Sequence, residues 1–193
     1  ALLAAKKNKA LIGMNDIEES YMKLILGPQK KTKVRTEADN KLCAYHEAGH
    51  AVASYYCKHT DPVKHITIIP AGRAGGVTVS RPENDVHYLT REGMLDDIRM
   101  SLGGRIAEEM VFDDITTGAS QDIKQATHTA RNMVTKYGFS DKIGLVNCEI
   151  SEDEVFLGRD YGQTRNYSEK VASSIDDEIN AIITGAYKRC ENI

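Results

Sequence analysis

Apolar side chains follow a helical spacing through most of this chain, and a short β-branched stretch interrupts that spacing once. Near the start, Asn15 and Glu18 form an N-x-x-E variant of the capping box ahead of Ile17, Tyr21, Met22 and Leu24 to Leu26. The helix they predict stops at Gly27-Pro28, because glycine suits a helix end and proline cannot continue one. Residues 28–36 read as a polar linker. Thr36 is placed to cap the next helix, with Glu37 and Asp39 favoured in its first turn by the helix dipole. No proline intervenes before about Lys58, and His59-Thr60-Asp61-Pro62 is a terminator.

The interruption follows. Val63 to Pro70 is β-branched and bounded by prolines, which predicts a strand. Ala71 to Gly76 reads as a turn, and Val77 to Ser80 as a second strand closed by Arg81-Pro82. The two strands can pair with each other or present an edge. From Thr90 the helical pattern returns, with helices expected at 90–112, 120–137 and 168–190. Ser120 and Ser168 suit N-caps, and Gly138 suits a C-terminal stop. The expectation is a mainly α fold with a small β element, preceded by a short helical piece.

At 193 residues the chain has room for one well-filled core, or one domain with a small appendage. A net charge of −3 sets up no global basic field, so nucleic acid is not an expected partner. The longest basic run, Lys30 to Arg35, reads as a solvated connector. No stretch approaches the roughly 20 apolar residues of a membrane helix, and the chain as given is expected to be soluble. Ala1 to Ala5 reads as the cut end of a helix, since no basic region precedes it as in a signal peptide. Cys43, Cys57, Cys148 and Cys190 form no C-x-x-C pair, which argues against a zinc ribbon or a thioredoxin-like site and favours buried thiols in a reducing compartment.

The chemistry concentrates in His46-Glu47-Ala48-Gly49-His50, an H-E-x-x-H motif within a predicted helix. Residues i and i+4 share a helix face, so both imidazoles can converge on one zinc ion, with Glu47 beside them to act on a water. A catalytic zinc takes a third protein ligand. The metzincin extension is excluded, because Ala53 and Tyr56 stand where glycine and histidine would be needed. His65, His87, His128, the Glu108-Glu109 pair and Asp122 remain as candidates. Asp122 falls in the first turn of a predicted helix, where the dipole favours a carboxylate. Glu108 can be a ligand or a hydrogen-bonding partner of a ligand imidazole, and residue chemistry leaves that choice open. Gly76, Val77 and Thr78 are candidates for pairing with an extended substrate by strand addition; an ordinary edge strand reads equally well.

Five segments together carry a family resemblance: His46 to Val52, Leu102 to Glu109, Thr117-Gly118-Ala119-Ser120-Gln121-Asp122, Met133 to Ser140, and Phe156-Leu157-Gly158-Arg159. In order and spacing they resemble the FtsH family of ATP-dependent zinc metalloproteases. The resemblance implies a helical zincin-type peptidase holding one Zn2+ per chain through His46, His50 and Asp122. Glu47 is then the base and Glu108 a partner of a ligand. It further implies that residues 1–27 are the tail of an AAA ATPase lid subdomain, 28–36 a linker and 37–193 the peptidase. No G-x-x-x-x-G-K-[ST] is present, so the chain is expected to be a fragment that cannot itself use ATP through a P-loop.

The resemblance also implies unfolded or membrane-extracted polypeptide substrates, delivered by the ATPase module of the full-length chain, and a homo-hexamer. The full-length protein would be anchored in the bacterial inner membrane with this domain in the cytoplasm, or alternatively in an organellar membrane. Two rivals stand beside this reading. One is a non-catalytic ring-assembly module with a structural zinc site, which would need no base at Glu47. The other is a stand-alone zincin acting on small peptides, against which the helical piece at 1–27 argues.

Overall fold

In a computed structural model of the chain, the residues described are 2–27, 35–70, 75–82, 88–149 and 167–193. The elements are α1 (Leu2–Lys6), α2 (Met14–Leu26), α3 (Glu37–Tyr56), β1 (Val63–Thr67), β2 (Val77–Ser80), α4 (Arg91–Phe112), α5 (Ser120–Thr135) and α6 (Glu169–Glu191). The fold is mainly helical with one small sheet, in line with the sequence pattern. Among the five segments of the resemblance, Phe156 to Arg159 lies outside the described residues, as do most of the linker and His87.

The spacing of Met94, Ile98, Leu102 and Ile106, four residues apart and all buried, makes α4 the axis of the core. It packs against α3, α5 and α6. From α5 come Ala126, Ala130, Met133 and Val134; from α6 come Ile175, Ile179, Ala186 and Cys190. Each fully buried Ile, Leu, Val or Met side chain among these contributes roughly 1.5–3 kcal/mol. The caps expected at Thr36 and Ser168 form, accepting from Asp39 N at 3.0 Å and Val171 N at 3.4 Å. Gly138 takes φ +63°, the left-handed conformation that suits a residue just past a helix.

The crossing of α3 over α4 is unusually close. A Cβ added at Gly49 would lie 2.3 Å from Gly103 O, and one added at Gly103 would lie 2.6 Å from Gly49 O. The two backbones therefore touch where neither residue has a side chain.

The strands pair antiparallel with Ile66 opposite Thr78 and Thr67 opposite Val77, and the register shifts between Val63 and His65. β1 stops at Thr67, short of the expected Pro70, because Ile69 N donates to Thr67 Oγ1 at 3.1 Å and turns the chain out of the ladder. The sheet lies against α3.

Three helix starts or stops differ from the sequence expectation. The second helix begins at Met14 with Gly13 as its N-cap, since Asp16 accepts from Gly13 N at 3.1 Å in the role expected of Glu18. Ser120 is the first residue of α5 and not its cap, because a 3-10 turn over Thr117–Ala119 runs directly into the helix. α5 ends at Thr135, two residues before the expected 137. The four cysteines are buried and free, as expected of small apolar thiols.

Candidate metal centre

α3 carries His46, Glu47 and His50 on the side that meets α4 and β2. The glycine contact brings α4 so near that its backbone lies under both imidazoles. A Cβ at Gly104 would stand 2.6 Å from His50 Nε2 and 2.7 Å from His46 Cε1. Gly104 thus makes room for the histidine pair, and a mid-helix Gly103-Gly104 pair, which costs a helix about 1 kcal/mol per glycine, was the sequence signal for that contact.

Each imidazole is oriented through its Nδ1. His46 Nδ1 lies 2.7 Å from Glu108 Oε1, and His50 Nδ1 lies 2.8 Å from the Met100 carbonyl. Both partners are acceptors, so each Nδ1 carries a hydrogen and each Nε2 presents its lone pair. The two Nε2 atoms are 3.1 Å apart. Asp122, in the first turn of α5, places Oδ2 3.3 Å from His46 Nε2 and Oδ1 3.8 Å from His50 Nε2.

Two lone pairs and a carboxylate converging this way call for a cation between them. One ligand atom from each of His46, His50 and Asp122 fits within 4.8 Å of the others. A tetrahedral ion with bonds of about 2.0–2.1 Å separates its ligand atoms by about 3.3 Å, which the 3.1 Å between the Nε2 atoms and the 3.3 Å from His46 Nε2 to Asp122 match, while the 3.8 Å from His50 Nε2 to the other Asp122 oxygen is longer. Two imidazoles and one carboxylate are also the donor set of a zinc site that keeps a fourth position open.

Glu108 is fully buried and ties this trio together. Its Oε1 accepts from His46; its Oε2 accepts from Thr116 N at 2.9 Å and from Thr116 Oγ1 at 3.0 Å. Thr116 immediately precedes the turn that leads into α5. One carboxylate therefore connects His46 to the loop that places Asp122.

Glu47 is buried at 6% exposure, and its Oε2 accepts from Thr78 Oγ1 at 2.9 Å. Burial raises its carboxyl above the ordinary range, against the Thr78 hydrogen bond and the nearby His50 and His46, which favour the charged form. For His46, burial pulls the imidazole down, but Asp122 and Glu108 outweigh it and leave it raised.

The other histidines and the paired glutamate go elsewhere. His65 is exposed on β1, exposed His128 contacts Asn132 Nδ2, and Glu109 accepts from the Tyr187 hydroxyl on α6. Gly76, Val77 and Thr78 lie beside Glu47; a Cβ at Gly76 would meet Glu47 Oε1 and Cys43 Sγ, each at 2.7 Å. Sequence reasoning missed Met100, Thr116, Gly104 and the Thr78–Glu47 bond.

A family model described as Peptidase family M41 matches residues 33–193, which spans every residue of this centre. The chain belongs to peptidase family M41. It is 51% identical over its whole length to the ATP-dependent zinc metalloprotease FtsH 1 of Thermoanaerobacter sp. strain X514, covering 32% of that protein. It is 49% identical over its whole length to ATP-dependent zinc metalloprotease FtsH of Caldicellulosiruptor bescii, covering 31% of it. A similar relative in Ruminiclostridium cellulolyticum is 49% identical over 98% of the chain and 30% of the relative. This M41 chain thus spans about a third of the length of the curated relatives it matches. Among its described residues, no helix is long and apolar enough to cross a membrane.

Proposed function

We propose that this M41 chain is a zinc-dependent endopeptidase domain, with His46, His50 and Asp122 as the metal ligands and Glu47 as the general base. The observation that carries the proposal is the convergence of two Nε2 lone pairs and one carboxylate, with a second, buried carboxylate alongside. Bound zinc would supply Lewis acidity, acidifying water and polarising the scissile carbonyl. Glu47 takes the proton of the attacking water and passes it to the departing amine. Burial raises the Glu47 carboxyl, which makes it a stronger base toward that proton. Glu108 and the Met100 carbonyl orient the two imidazoles. Gly76, Val77 and Thr78 offer main-chain groups to an extended substrate beside Glu47.

The substrates are unfolded or membrane-extracted polypeptides, delivered by an AAA ATPase module of the full-length protein, which works as a hexamer. The relatives' designation as ATP-dependent zinc metalloproteases supports this division of labour. Residues 1–27 are read as the tail of the ATPase lid, 28–36 as the linker and 37–193 as the peptidase. The 90% exposure of Leu2, 85% of Leu11 and 84% of Leu24 suits a lid whose apolar face meets another domain. The full-length protein is placed at the bacterial inner membrane, with this domain on the cytoplasmic side.

The test is zinc content together with cleavage of an unstructured peptide. Glu47→Gln is expected to keep one zinc per chain and to lose cleavage. Retained cleavage would remove Glu47 from the role, whereas a zinc-loaded wild type that cleaves nothing would reopen the reading of a non-catalytic ring module with a structural zinc.

A further inference from the structure

We infer that Thr78 is the positioning residue of the general base, so that β2 holds the carboxylate of Glu47 as well as presenting an edge to substrate. The inference rests on the peptidase reading and deepens it. It begins from the two oxygens of Glu47. Oε2 is engaged by Thr78 Oγ1 at 2.9 Å. Oε1 lies instead against the bare Cα of Gly76, where a Cβ would come within 2.7 Å of it. β2 and the residue before it therefore address both oxygens of one carboxylate. A hydroxyl pins the first, and a missing side chain leaves room for the second.

Glu47 hangs from α3, and its side chain has three rotatable bonds with which to wander. A carboxylate is an effective base only when held within hydrogen-bond reach of the proton it removes. The hydroxyl of Thr78 has one hydrogen and two acceptors within reach, Glu47 Oε2 at 2.9 Å and the Glu47 carbonyl at 3.0 Å. That carbonyl sits within α3, where it already serves the helix ladder, so the carboxylate is the stronger claimant. A purely structural fastener between β2 and α3 would need only the carbonyl.

The position of Thr78 in the ladder adds a consequence. Thr78 pairs with Ile66 of β1, and among the described residues β2 has no partner on its other edge. A substrate strand adding to that edge would order the same segment that pins Glu47. Base alignment is thereby coupled to substrate docking through a single residue.

The experiment compares the zinc-loaded full chain with Thr78→Val, Thr78→Ser and Glu47→Gln, reading kcat and KM on an unstructured fluorogenic peptide and zinc per chain. Thr78→Val keeps the shape of the side chain and removes the hydroxyl. It is expected to lower kcat by roughly 10- to 100-fold, with KM within about twofold and zinc unchanged. Thr78→Ser keeps the hydroxyl and is expected to recover kcat to within about threefold. Thr78→Ala is the second hydroxyl-free variant, should valine lower the melting temperature into the assay range.

Wild-type kcat in Thr78→Val overturns the inference, as does a rise in KM at constant kcat, which would make Thr78 a docking residue only. Loss of zinc, or a serine variant as impaired as valine, would assign the residue to packing and also overturn it. An inactive wild type sinks the peptidase reading and this inference together, and a Glu47→Gln variant that cleaves normally removes Glu47 as the base and this inference with it. With those two controls behaving as expected, a normal Thr78→Val sinks this inference alone.

Discussion

Replacing Glu108 by glutamine changes one oxygen to an NH2 and leaves the shape of the side chain intact, so its effect isolates hydrogen-bond polarity. The wild-type carboxylate accepts from three donors: His46 Nδ1 on one oxygen, and Thr116 N and Oγ1 on the other. An amide has one accepting oxygen. If that oxygen serves Thr116, the NH2 faces His46 Nδ1–H, and the ring must flip or change tautomer. In either case Nε2 no longer presents its lone pair to the metal as it did. If the oxygen serves His46, the NH2 faces the Thr116 N–H, and the loop leading to Asp122 must shift.

Glu108 has no solvent exposure, so water does not relieve the conflict. An unsatisfied buried donor costs about 1–3 kcal/mol. At 1.4 kcal/mol per tenfold, that corresponds to a loss of zinc affinity of roughly 5- to 150-fold, close to the 10- to 100-fold typical when a ligand's hydrogen-bond partner is removed. The assay is competition for zinc against a chromophoric chelator, run beside thermal unfolding of the metal-free chain. A variant that melts lower without metal yet binds zinc within about threefold of wild type would refute the reasoning. Glu108 would then be a core acceptor that leaves the metal ligands untouched.

Asp122→Asn removes the charge of the proposed third ligand and should weaken zinc by more than the roughly 10- to 100-fold expected of an outer partner; wild-type affinity on the same chelator titration would move the third ligand elsewhere, with Glu108 next to test. Asp97 provides a pH test away from the metal. Burial first, then Asp61 and Asp96, push its carboxyl up to about 6 from an ordinary 3.8. A folded-state value above the unfolded one favours the protonated folded form, so its contribution to stability is fully present below about pH 4 and is lost as pH rises through 6. The shift corresponds to roughly 3 kcal/mol before solvent screening and on the order of 1–2 kcal/mol after it, because the site is only partly buried. Asp97→Asn should therefore be more stable than wild type at pH 8, with the advantage fading by about pH 4; a melting-temperature gap that stays constant across that range would contradict it.

The order of helices was legible because burial on one helix face imposes a period that survives in the sequence, as at Met94, Ile98, Leu102 and Ile106. His46, Glu47 and His50 were equally legible, since a helix alone brings residues four apart onto one face. Helix starts were less so. Ser120 has the chemistry of a cap, but whether it caps depends on the path of the preceding turn, and here Thr116 and the 3-10 turn extend the helical path through it.

Asp122 lies 72 residues beyond His50 and reached the histidines only through a family resemblance, because local rules carry no information about which helix start faces which groove. Tertiary structure decided that, and the reasons are physical. Gly49 and Gly103 let two backbones touch, which sets α3 deep enough for Glu108 to reach His46. Glu108 then binds Thr116, and Thr116 leads into the turn that sets Asp122 opposite the imidazoles. The H-E-x-x-H motif by itself determined two imidazoles and a carboxylate on one helix. Close packing across that helix determined their tautomers, the carboxylate that faces them and the strand whose Thr78 meets Glu47.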